Sequence, residues 1–137
     1  MTTDEPTDDQ TATSARARGQ AQMRAVYGWD IEPTKPFEVA TVDHLFGEVW
    51  AAGDLTVKER RLLLIGLAVG IGMTDVATLQ LDSALNLDEL SAEDLRTIVV
   101  FLAHYAGWPR AAALNSQVEE LIARRERAAA KAAQSNA

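Results

Sequence analysis

The stretch LTVKERRLLLIGLAVGI, Leu55 to Ile71, decides the fold. Its first residues, Thr56-Val57-Lys58-Glu59, form a capping box, in which a Thr hydroxyl takes an amide of the first turn and a Glu reaches back. The helix this predicts runs through Leu62-Leu63-Leu64-Ile65 to Ile71 and is apolar all round. Such a helix has to be covered on every side, by the rest of the fold or by a neighbouring subunit. Gly66, Gly70 and Gly72 lower its intrinsic stability, so close backbone approach is the use expected of them. The whole apolar run, Leu62 to Met73, is too short to span a bilayer, which takes about 20 residues.

Outward from this helix the chain reads as further helices. Thr74 is expected to cap one over Asp75 to Leu85, and Ser91, with Asp94 three residues on, caps another over Glu93 to Ala106. Gly107 stops that helix, and Pro109 suits the first turn of a last one running past Ala123. Toward the N-terminus, Thr41 is expected to cap a helix from Val42 to Ala51, with Val42, Leu45, Phe46 and Val49 at helical spacing and a break at Gly53-Asp54. Ile31 to Pro36 contains two prolines and is expected to be extended. Gly19 to Val26 is a short helix ended by Tyr27-Gly28-Trp29-Asp30. No window alternates apolar and polar residues, so the fold class is all-α. Residues 1–17 are expected to form a disordered tail, 18–127 a single helical domain, and 128–137 a frayed end.

Composition narrows the chemistry. The chain has no cysteine, which removes disulfides, thiolate metal sites and dithiol redox mechanisms. Its 13 Lys and Arg against 20 Asp and Glu give a net charge of -7, which argues against nucleic acid as a partner. The first ten residues, MTTDEPTDDQ, carry acids and no apolar run, unlike a secretory signal. A cytoplasmic protein with no membrane association is expected. The two histidines, His44 and His104, lie far apart with no ligand spacing, so no metal is expected.

Several ordered segments resemble the carboxymuconolactone decarboxylase family. They are Met23-Arg24-Ala25-Val26-Tyr27-Gly28, Phe46-Gly47-Glu48-Val49-Trp50, Leu55 to Leu62, Leu79-Gln80-Leu81-Asp82-Ser83-Ala84-Leu85-Asn86, Leu90 to Leu95, and Tyr105-Ala106-Gly107-Trp108-Pro109-Arg110-Ala111. The resemblance spans about residues 19 to 124. It implies a small helical subunit assembling into trimers or hexamers. It also implies a cofactor-independent lyase acting on a small carboxylated lactone or ring compound in aromatic catabolism. The name-giving members decarboxylate 4-carboxymuconolactone to the 3-oxoadipate enol-lactone. A sister branch, the alkylhydroperoxidase-D-like proteins, uses a Cys-x-x-Cys pair, and a chain without cysteine cannot share its activity.

Where the decarboxylases usually carry a histidine, four residues before the Ala-Leu pair, this chain has Gln80. Glutamine can orient a carboxylate or lactone oxygen but cannot move a proton near neutral pH. Glu59 matches the family's Lys-Glu-Arg glutamate and reads either as a proton shuttle beside a pocket or as the capping-box acid alone. Arg60 also matches, as a fork for a substrate carboxylate, an intersubunit clamp or a surface ion pair. His104 stands on an apolar helix and reads as a replacement base or a hydrogen-bonded interior residue. Tyr105 and Trp108 are candidates to line a pocket for a ring, Trp108 the stronger because it lies at a turn. Glu59 and His104 are thus the catalytic candidates, and Arg60, Gln80, Tyr105 and Trp108 the substrate-binding ones. A second class of function fits the same residues: a non-catalytic family member serving as an oligomeric ligand-binding or assembly module. His44 and Glu48, at i and i+4, read as a surface pair.

Overall fold

The computed structural model describes residues 7–136, which are helical apart from short connections and contain no strand. The chain divides into two compact units, Met1–Arg60 and Arg61–Ala137, and the division falls inside one helix.

In the first unit, α1 spans Asp8–Tyr27. It starts well before the Gly19 read from sequence, because Thr7 and Gln10 form a capping box and Asp8 and Asp9 favour the helix N-terminus electrostatically. Residues 8–17 of the expected tail therefore belong to a helix, whereas 1–6 lie outside the described residues. Gly28, at φ 82°, ends α1.

Pro36 opens α2, Pro36–Val39, instead of closing the extended loop. Glu38 accepts from the amides of Thr34 (2.8 Å) and Lys35 (3.2 Å), so the cap lies upstream of Thr41. The Thr41 hydroxyl donates back to the Phe37 carbonyl at 2.7 Å, as a residue inside a helix does. From Ala40 to Val49 the chain winds as a π-helix, closed by the Trp50 amide on the Leu45 carbonyl at 2.9 Å.

Backbone approach joins α1 to the π-helix. A Cβ placed on Gly19 would stand 1.8 Å from the Val42 carbonyl oxygen, so no larger residue fits. Met23, Val26, Val42, Phe46 and Trp50 fill the space alongside. Tyr27, Phe46 and Trp50 pack ring to ring, with centroids 5.5 and 5.9 Å apart. Arg16 holds Asp43 through two hydrogen bonds, 2.7 and 3.1 Å.

α3, Val57–Gly70, starts at the capping box the sequence predicts: the Thr56 hydroxyl accepts from the Glu59 amide (3.1 Å), and Glu59 accepts from the Thr56 amide (2.7 Å). The second unit holds the rest of α3, α4 (Thr74–Asn86), α5 (Ala92–Ala106) and α6 (Trp108–Ser135). Thr74 is already inside α4; Met73 precedes it and gives no side-chain cap. Ser91 and Asp94 do form the expected box. Gly107 separates α5 from α6 at φ 99°, and Pro109 occupies the first turn of α6. α6 continues through the expected frayed end as far as Ser135, exposed from Glu126 onward.

The core of this unit is one cluster. It joins Ile65 and Val69 of α3, Leu81 and Leu85 of α4, Leu95 and Val99 of α5, and Leu114, Val118, Leu121 and Ile122 of α6. On α3 the buried positions are Arg61, Ile65, Ala68 and Val69, one stripe at helical spacing. Leu63, Leu67 and Ile71 point away from it and stay more than half exposed. A Cβ on Gly66 or Gly70 would meet nothing within 4 Å, so the close approach expected there is not made within this chain.

Candidate functional site

Gln80 lies on α4 with 1% of its surface exposed, and what it faces is Arg61. The Arg61 guanidinium, fully buried, donates from Nη1 to Gln80 Oε1 at 2.9 Å and from Nε to a carboxylate oxygen of Glu89. Glu89 sits in the turn after α4, its amide bonded to the Ala84 carbonyl at 2.9 Å. The three side chains make a cation, its counter-ion and an amide that accepts from the cation. That arrangement satisfies a buried charge, which would otherwise be costly. Neither an arginine nor a glutamine exchanges protons near neutral pH.

Glu59 is turned back on its own helix. The Thr56 amide and hydroxyl, helped by the charge of Arg60, hold its carboxyl below the usual carboxylate range. The group is thus ionised at neutral pH and engaged as an acceptor. Arg60 donates to the main-chain carbonyls of Ala52 and Leu55, closing the loop before α3. Its fork is spent on backbone oxygens within the chain.

The other three candidates lie at the α5–α6 corner, on the surface. His104 Nδ1 is 2.8 Å from the Val100 carbonyl oxygen, which can only accept, so Nδ1 carries a hydrogen. The imidazole meets Trp108 edge to face, centroids 5.8 Å apart. Trp108 is 66% exposed and Tyr105 80%, with Tyr105 packed on Phe101 at 5.2 Å. An open concavity beside His104 includes Glu93, Arg96 and Phe101. Its arginine is already held by Glu93 and by both oxygens of Glu119, at 2.9 to 3.1 Å.

The structure thus brings His104 and Trp108 together and gives Gln80 to Arg61. The residue that sequence reading left without a role is Arg61. Its signal was present, since Arg61, Ile65 and Ala68 share one stripe, but the continuous run Leu62-Leu63-Leu64 hides that periodicity. Glu89 carried no signal, because its partner is brought in by folding. His44 and Glu48 form the exposed pair expected, at 2.8 Å. Among the described residues no three His, Asp or Glu side chains are grouped to hold a metal ion, and no helix is long and apolar enough to cross a membrane.

These features define an all-α protein that carries a capping-box glutamate in its first unit and a buried Gln–Arg–Glu cluster in its second. The sequence model of the carboxymuconolactone decarboxylase family matches residues 36–120, and the chain belongs to that family. No curated protein and no solved structure matches it.

Proposed function

We propose that this chain is a non-catalytic member of its family, an oligomeric helical module for ligand binding or assembly. The observation that carries this reading is Gln80, buried and bonded to a guanidinium at the position where the decarboxylases usually have histidine. Loss of carbon dioxide from a conjugated lactone needs a proton delivered to carbon, and general acid catalysis needs a titratable group within reach. Glu59 offers an ionised carboxylate already bonded to Thr56, which fits a helix cap better than a proton donor.

Assembly is supported by α3. Leu63, Leu67 and Ile71 recur at four-residue spacing on one exposed face, and Gly66 and Gly70 leave open space beside them. A face of that kind suits a helix from a second copy, and a trimer or hexamer is the arrangement proposed.

The competing reading, a cofactor-independent lyase on a carboxylated lactone, draws on His104, whose exposed imidazole stands edge to face with the Trp108 ring. Incubation with 4-carboxymuconolactone, followed by ultraviolet absorbance and product NMR, separates the two. The module reading expects no turnover above buffer. Turnover that drops in both Glu59→Gln and His104→Gln would establish the lyase instead.

A further inference from the structure

We propose that residues 40–49 form a two-register helix, with the π-helical winding of this structure in exchange with an α-helical winding that buries a different face. The sequence and the structure disagree about which side chains belong inside. Val42, Leu45, Phe46 and Val49 share one face at α-helical spacing, yet Leu45 is 40% exposed and Val49 48%. The π winding instead buries Val42, Phe46, Gly47 and Trp50. Ten consecutive residues in this winding is a long run for a geometry that mostly occurs as single turns.

Two features hold the π register. Gly19 and Gly47 both stand against the Val42 carbonyl: a Cβ on Gly47 would lie 3.1 Å from the Ala15 carbonyl oxygen and 3.4 Å from that of Val42. The Tyr27, Phe46 and Trp50 rings close the other side. Wound at 100° per residue, the same segment would place Gly47 roughly 150° from the centre of the 42/45/46/49 face and Trp50 roughly 90° from it. The α register thus gives up the glycine contact and Trp50 burial, and gains Leu45 and Val49. Packed interfaces of this kind have discrete arrangements, so the change is a shift between two states. A partner that covers Leu45 and Val49 binds them where they are exposed, and so favours the π register through its differential contacts.

Trp50 reports the register. Its burial, 8% exposed, contrasts with 48% for Trp29 and 66% for Trp108, so a Trp29→Phe/Trp108→Phe protein isolates its signal. Gly47→Ala in that background disfavours the π register, because the new methyl meets the Ala15 carbonyl. The expected result is unchanged far-ultraviolet helicity with about a twofold rise in acrylamide quenching of Trp50. Leu45→Gln is expected to leave Tm nearly unchanged in the parent and to lower it by several degrees in the Gly47→Ala background. Unchanged Trp50 quenching in a helical Gly47→Ala protein overturns the proposal. So does Trp50 exposure accompanied by loss of helicity, since the segment then has no second helical register. A large Tm loss from Leu45→Gln in the parent overturns it as well, because Leu45 would already be buried.

Discussion

Arg61 shows how much one buried side chain asks of its neighbours. A guanidinium with no exposed surface is tolerated only while its partners remain, and removing one partner of such a pair typically costs about 3 kcal/mol or more. Glu89→Ala is therefore expected to lower the unfolding free energy by about 3 kcal/mol in urea titration. Arg61→Met, which removes the charge with its need for a partner, is expected to cost less. Gly19 is the second position where a single atom matters. Gly19→Ala forces α1 off the Val42 carbonyl, and a loss of about 3 kcal/mol is expected from overpacking at backbone that cannot yield. Neither residue could be ranked this way from sequence. Arg61 lies beside a run of leucines that masks its stripe, and Gly19 looks like any helical glycine until Val42 is brought against it.

At the scale of the element, the caps were legible and the windings were not. Thr56 with Glu59 and Ser91 with Asp94 form the boxes that the spacing predicts, since a cap is written within four residues. Thr41 and Thr74 carry the same residue type and do not cap, because Glu38 and the turn at Gly72-Met73 set those helix starts first. The winding of residues 40–49 depends on α1 packing beside it, which no local pattern encodes. The Glu59 cap also gives a pH dependence with a definite sign. Its carboxyl sits below the ordinary value of 4.5 in the folded chain, so the cap stabilises fully above that value. The contribution disappears as pH falls through the lowered folded value. Melting temperatures of the parent and Glu59→Gln should therefore differ at neutral pH and converge in acid. Gly66→Ala tests α3 in two ways. Helix propensity favours alanine by about 0.5–1 kcal/mol, and the chain itself has room for the methyl. The variant should thus be more stable as an isolated subunit and weaker in assembly, by thermal melts and light scattering.

For the molecule as a whole, the all-α class and the family were readable from ordered short segments, and residues 36–120 carry the family match. The grouping of the candidate site was not. Gln80 belongs to a buried cluster with Arg61 and Glu89, while His104 and Trp108 stand together on the surface. Side chains that sequence order places in one motif set are distributed by packing to different tasks. The exposed leucines of α3 are the feature that a lone chain leaves unanswered. A Leu63→Glu/Leu67→Glu protein is expected to remain helical and to fall to a lower mass by light scattering, because both positions are open in the subunit and charge disfavours an apolar interface.

On the function proposed above, Gln80 serves as a structural partner of Arg61 and takes no part in a reacting site. Groups placed for catalysis commonly hold stability down, so that replacing them leaves a protein as stable or more so, whereas a structural partner of a buried charge has the opposite effect. The measurement that separates these is the unfolding free energy of Gln80→Ala in urea. A loss of about 2 kcal/mol is predicted, from removal of the Oε1 acceptor that the buried Arg61 guanidinium bonds at 2.9 Å. Equal or greater stability in Gln80→Ala, together with decarboxylation by the parent, would contradict it.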